Sequence, residues 1–222
     1  MRTTLASAVA LLVMFAFGTA HANLVQYGGF NGAPVPSGKQ IESVPSGNST
    51  TIAGWTVMGT GSSVGWVLNN DWTPAAANQE SIVFNGATST GIGQSFATTP
   101  GTEYVVTFYI SGYPASTATD EGEVTAGSSQ AETFTYSPIT TGSNKNSATN
   151  MNWQLESYTF TAGTGSTTLL SFNTMQAGGP ASGLVIGDVD VEPAATVPLP
   201  PTLLFFAPGL LGLAGIRRRF KK

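Results

Sequence analysis

From Asn23 to about Glu192 the chain runs in short segments whose apolar and polar residues alternate, each ended by Gly, Pro, Asn or Ser. A period of two puts successive side chains on opposite faces of an extended strand, and the terminators supply the turns. No long stretch carries the spacing of an amphipathic helix. Strands are expected at 24–26, 54–58, 63–68, 79–84, 93–98, 102–111, 121–126, 132–137, 153–161, 167–173 and 183–191. That many short strands suits an antiparallel β-sandwich rather than a parallel sheet with crossover helices. Residues 104–110 are apolar or aromatic on both faces, which predicts a strand with neighbours on either side, whereas Tyr158-Thr159-Phe160-Thr161 alternates with one wet face. With Gly at 27, Pro at 13 and only 9% charged residues among 222, the composition matches strands meeting at tight turns. A hydrophobic content of 41% supports one core in a middle segment of roughly 170 residues, the size of one domain.

Charge is distributed unevenly. Arg2 lies at the start and Arg217, Arg218, Arg219, Lys221 and Lys222 at the end, so residues 23–192 hold two lysines against all twelve carboxylates, a formal charge of −10. A polyanion needs Lys and Arg to displace its counterions, so nucleic acid is excluded as an expected partner. Cysteine is absent and the one histidine, His21, precedes the domain. Disulfide staples, thiolate chemistry and Ser-His-Asp catalysis are thereby excluded from residues 23–192, and a zinc site would have to form without its usual ligands.

The ends read as addresses. Residues 1–22 have a positive start, an apolar stretch from Leu5 to Phe17 and a small-x-small site at Ala20-His21-Ala22. This is the pattern of a signal peptide for the Sec translocon and signal peptidase, with cleavage after Ala22. Residues 193–202 are a proline-rich linker that cannot extend a sheet, 203–216 are apolar, and 217–222 form a basic end that should stay cytoplasmic. The apolar stretch is short against the roughly 20 residues of a membrane span.

Two resemblances follow from these residues. Val197-Pro198-Leu199-Pro200-Pro201, the apolar segment ending Leu210-Leu211-Gly212-Leu213-Ala214-Gly215-Ile216, and Arg217-Arg218-Arg219 resemble the PEP-CTERM class of sorting signals in its V-P-L-P variant, with Pro-Leu-Pro standing where the signature has Pro-Glu-Pro. That resemblance implies handling by an exosortase-type membrane protease in a Gram-negative bacterium. The alternative is a permanent single-span anchor. Residues 23–192 resemble the choice-of-anchor C family, related to galactose-binding-like jelly-roll modules. The stretches that carry this are Asn23 to Phe30, Ile52 to Val57, Ile82 to Gly86, Gly91 to Gly101, Asn150 to Trp153 with Tyr158 to Thr161, and Ile186 to Val191. It implies an antiparallel jelly-roll β-sandwich whose first and last strands lie close, with an N-terminal signal helix and a C-terminal hydrophobic helix outside it. It also implies a structural Ca2+ between the opening turn and the last strand. Asn31 stands where the family usually has an acid, and Asp188 matches the last-strand acid. Calcium takes roughly six to eight oxygens, so two side chains suffice only with main-chain help.

Trp66, Trp72 and Trp153 are candidates for stacking on sugar rings, because an indole face matches the C–H face of a pyranose while neighbouring amides bond its hydroxyls. Asn69 and Asp71 cluster by Trp72. Against this stands the reading of each tryptophan as core, the one preferred for Trp55 in its alternating strand. Exposed tryptophans grouped on one face would favour binding, and buried ones a structural role. Glycoside hydrolysis needs two carboxylates across a bond. Asp120, Glu121 and Glu123 are acids, but Glu121 and Glu123 share a strand face, so no catalytic residue is expected. The resulting expectation is an exported surface or extracellular-matrix protein associated with exopolysaccharide, with glycan contact as its activity. The alternatives are a structural protein without a specific ligand and, less favoured, a carbohydrate-active enzyme.

Overall fold

A computed structural model describes residues 22–34, 40–59, 63–84, 90–114, 116–175 and 183–195. The leader, the linker motif from Val197 to Pro200, the apolar segment, Arg217 to Arg219 and the two expected terminal helices lie outside the described residues. Eleven strands are formed: β1 Ile41–Pro45, β2 Thr56–Gly59, β3 Ser63–Val67, β4 Ser81–Phe84, β5 Thr90–Ala97, β6 Glu103–Gly112, β7 Asp120–Ala126, β8 Glu132–Tyr136, β9 Gln154–Thr161, β10 Thr167–Thr174 and β11 Leu184–Pro193. All pair antiparallel, in a six-stranded sheet of order β1-β3-β4-β11-β6-β9 and a five-stranded sheet of order β2-β5-β10-β7-β8. This is a jelly-roll β-sandwich. Among the described residues no helix is long and apolar enough to cross a membrane.

Alternation sets which residues fill the space between the sheets. In β6, Tyr104, Val106, Phe108 and Ile110 point inward, while Val105, Thr107 and Tyr109 stay half-exposed. They meet an aromatic core in which Phe108 and Phe172 pack edge-on at 4.9 Å and Phe30 meets Trp55 at 5.2 Å. Trp66 is wholly buried in this core and satisfies its indole N–H on the Phe30 carbonyl at 3.1 Å. A buried indole without such a partner would be costly.

Two departures from the expected strands have local causes. Residues 24–26 form no ladder, yet they run beside β11. The Leu24 N–H donates to Val191 O at 2.9 Å and Val189 N–H to Gly28 O at 3.0 Å. The Asn23 side chain accepts from the N–H groups of Val25 and Val191 and donates to Val189 O at 2.8 Å. Gly28 is required there, because a Cβ would collide with the Val189 carbonyl. The second departure is β1, which alternation alone did not reveal: it has five residues, ends in Pro45 and lies at a sheet edge. Pro is tolerated at such a position because its missing N–H is not needed in a ladder.

The outer face of the six-stranded sheet carries a second, smaller core. Val67, Val83 and Val185 project outward and are covered by Trp72 and Met151, with Tyr113, Ala148 and Trp153 around them. The covering loop is held by Asn146, only 2% exposed, which accepts from the Tyr136 hydroxyl at 2.9 Å and donates to Met151 O at 3.2 Å. The outer face of the five-stranded sheet has no comparable cover among the described residues.

Candidate functional site

The three sugar-stacking tryptophans are placed very differently from one another. Trp66 is core, so it offers no face to a ligand, and that expectation is corrected. Trp72 is 6% exposed and packs edge-on against Tyr113 at 5.1 Å, sealing the small outer core; it too is corrected from platform to packing. The cause in both cases is the pleat, which turns Trp66 inward beside Val64 and Leu68, and the loop after β3, which folds Trp72 back onto Val67 and Val83. Trp153 is half-buried, donates its indole N–H to Thr73 O at 3.0 Å, and lies over Gly187, where a Cβ would be 3.3 Å from its Cη2. It joins the loop that bears Asn69, exposed, and Asp71, half-buried. Burial holds the Asp71 carboxyl above its ordinary range. The structure thus brings Asn69, Asp71, Trp72 and Trp153 to one region but leaves only Trp153 with accessible indole surface among the three.

Sequence reasoning missed the uncovered face. Across the five-stranded sheet one row reads Met58, Gly91, Asn173, Glu123, Thr133, and the next reads Thr56, Gly93, Ser171, Thr125. Because the glycines of β5 have no side chains, neighbours close over them: a Cβ at Gly93 would be 2.5 Å from Met58 Sδ and 3.3 Å from Leu169 Cδ1, and one at Gly91 would be 2.3 Å from Asn173 Oδ1. The result is a trough of about 390 Å³ with Thr56, Gln94 and Ser95 on its walls and Leu169, 42% exposed, along one side. Ser171 and Thr125 share a hydroxyl hydrogen bond of 2.6 Å beside it. Glu121 and Glu123 point to the same outer face, as alternation predicted. An apolar strip bordered by hydroxyls, an amide and carboxylates has the chemistry to contact a polyhydroxylated polymer. The signal in the sequence was Gly91-Ile92-Gly93, two glycines on one strand face, which mark a place where another group approaches the backbone.

Asn31 and Asp188 come to one corner. The Asn31 amide donates to Asn78 O at 3.0 Å, and the next residue, Gln79, donates its amide to Asp188 Oδ1 at 2.7 Å. Tyr27, Phe30, Asn78 and Asp188 all have positive φ, between 49° and 61°, a cluster of backbone strain of the kind found at ligand clamps. Asp188 opens the bulge of β11, where the register against β6 slips between Gly187 and Asp190. Gln79 Oε1 is buried without a partner. The carbonyls of Tyr27, Gly28, Gly29 and Phe30 all accept N–H donors. Asp188, Asn31 and Gln79 are the polar side chains of this corner, and Gln79 Oε1 is the oxygen among them that is buried without a hydrogen-bond partner. Among the described residues no group of three or more His, Cys, Asp or Glu is placed to hold a metal.

The two antiparallel sheets define this protein as an all-β jelly-roll sandwich. Residues 23–192 match the model of the family described as protein of unknown function, DUF642, and the chain belongs to that family. No curated protein sequence matches it. Similar solved structures include TmCBM61 in complex with β-1,4-galactotriose, 13% identical, covering 63% of this chain and 88% of that one with a TM-score of 0.43. The CBM22-1 xylan-binding domain from Paenibacillus barcinonensis Xyn10C is 15% identical and covers 71% of this chain and 96% of its own, with a TM-score of 0.43.

Asp120 is the most perturbed carboxyl in the sandwich. It is 5% exposed, its Oδ2 has no partner, and burial raises its pKa from 3.8 to about 6, against the lowering effect of the Gly183 N–H. The native state therefore binds the proton more tightly than the unfolded chain. Its contribution to stability is fully present below pH 3.8 and is lost as pH rises through about 6. Asp120→Asn keeps the acceptor without the charge and should raise stability at pH 7 by about 1–2 kcal/mol while leaving it unchanged near pH 4. Urea titrations at the two pH values check this, and an equal effect at both would show that the carboxyl ionises freely.

Proposed function

We propose that this protein is an exported surface or extracellular-matrix component whose sandwich contacts neutral glycan chains along the trough of the five-stranded sheet. The supporting observation is the uncovered Met58–Gly93–Leu169 strip bordered by Thr56, Ser95, Ser171, Asn173 and Glu123. Apolar atoms there suit the C–H face of a sugar and the border suits its hydroxyls. The domain's formal charge of −10 favours a neutral polymer or a cation over an anionic one. Binding rather than catalysis is the role proposed, since Asp120 is buried while Glu121 and Glu123 lie side by side on one face. A second reading, a matrix protein without a specific ligand, is favoured by the burial of Trp55, Trp66 and Trp72. Export by the Sec translocon and signal peptidase, and sorting by an exosortase-type protease at Val197 to Pro200 with Arg217 to Arg219, are proposed on the sequence pattern of the two ends. We also propose that Asn31, Asp188 and Gln79 hold a structural Ca2+ that ties the opening turn to β11.

Affinity electrophoresis in gels cast with soluble neutral polysaccharides should retard the protein, and Leu169→Asp should abolish the retardation. Loss of a partly exposed strand side chain there costs about 1 kcal/mol of stability, too little to unfold the domain. Retardation by none of the polymers would sink the glycan reading and leave the structural one. Chelation should lower the melting temperature by several degrees, and Ca2+ should restore it; a melting curve indifferent to both removes the ion. Mass spectrometry of the C-terminus from native membranes and medium should find the chain ending near Val197 to Pro201. An intact end at Lys222 would mean a permanent anchor instead.

A further inference from the structure

The open face of the five-stranded sheet is graded in polarity. Met58, Gly91, Gly93 and Leu169 make one side apolar, then come Asn173 and Thr125, and then the carboxylates of Glu121 and Glu123 on β7. The strand order puts β7 two strands from β5, about 10 Å away at the usual spacing, and the two carboxylates about 7 Å apart along the strand. Both are half-buried, and neither side chain has a hydrogen-bond or ion-pair partner among the described residues. Two like charges at that separation repel, and a cation beside them relieves the repulsion. The described residues supply none to this face. Lys145 is the only lysine or arginine among them, and it belongs to the β8–β9 loop, whose Ala148, Met151 and Trp153 pack on the other sheet.

We propose that the glycan taken by this face is an amino-sugar polymer with free amines, whose ammonium groups pair with Glu121 and Glu123. The inference rests on the glycan reading of the trough and sharpens it: of the neutral and cationic polymers that the domain's charge admits, the face is built for the cationic kind. The C–H face of one ring lies on the Met58–Leu169 strip. The chain then crosses the strands, its hydroxyls meeting Asn173 and Thr125 and its amines reaching β7. An N-acetylated ring would bring only an uncharged amide to the two unpaired carboxylates, and hydrogen bonds between charged partners are roughly twice as strong as neutral ones. A uronate would bring a third negative charge. The formal charge of −10 over residues 23–192 draws a cationic chain from a distance and loses this pull as salt rises. That pull serves any polycation. What marks the site is joint dependence on the carboxylates of β7 and on the apolar strip.

Calorimetric titration of the full-length protein in mild detergent, at about pH 6 where sugar amines are protonated, compares a glucosamine oligosaccharide with its fully N-acetylated counterpart of the same length. The free-amine form should bind about tenfold tighter, the worth of two exposed ion pairs. Glu121→Gln and Glu123→Gln should each weaken it by about threefold to fivefold. Glu103→Gln makes the same charge change at an exposed position of the other sheet and should alter affinity less than about twofold. Leu169→Asp should also weaken binding although it adds an acid, which bulk attraction alone would not produce. Equal affinity for the two oligosaccharides overturns the amine and leaves the glycan reading standing, whereas binding of neither ends both. Equal losses in Glu123→Gln and Glu103→Gln, or equally tight binding of a lysine oligomer, reduce the attraction to bulk charge and overturn the proposal.

Discussion

The sandwich depends on the closure of its first segment onto its last strand. β11 lies inside the six-stranded sheet, with β6 along one side and β4 along only the first half of the other. The second half is completed by residues 23–28, through Leu24 N–H on Val191 O, Val189 N–H on Gly28 O and the Asn23 side chain spanning both. Without that segment the Val189 and Val191 backbone groups would be left unpaired beside a fully buried core, a cost of the size that decides whether a domain folds. The strand order thus sets a central strand, the last of the domain, against the domain's first residues. It also places both ends of the domain at one seam.

From that seam follows the difference between the two outer faces. The turn at residues 27–31 feeds Phe30 into the core, where its carbonyl receives Trp66, and the loop after β3 brings Trp72 and Trp153 over Val67, Val83, Val185 and Gly187. That face is used for packing. The five-stranded sheet has no such loop among the described residues, and the glycines of β5 lower its surface, so Met58, Leu169, Asn173 and the acids of β7 remain available. Trp66 and Trp72, two of the three tryptophans that looked like ligand platforms, are used for packing, and the uncovered sheet face is made of residues with weak individual signals.

Period-two alternation, turn residues and the lack of any helical repeat were enough to determine an all-β sandwich and most of its strands, because alternation follows directly from having one face against a core. The inward turn of Trp55 and the shared face of Glu121 and Glu123 were equally legible, since each depends only on neighbours along one strand. The edge strand β1 was not, because an edge needs little hydrophobicity and this one ends in Pro45. Nor could the sequence decide between platform and core for Trp66, Trp72 and Trp153. That choice depends on which loop folds over which face, set by contacts between residues far apart in the chain. Composition and charge alone determined that residues 23–192 carry no disulfide, no histidine and a surplus of acids. Only the tertiary structure decided that Gly91 and Gly93 stand side by side with Met58 and Leu169, and that Gln79 reaches Asp188. Pairing register and loop closure are properties of the whole assembled sandwich, and no local pattern encodes them.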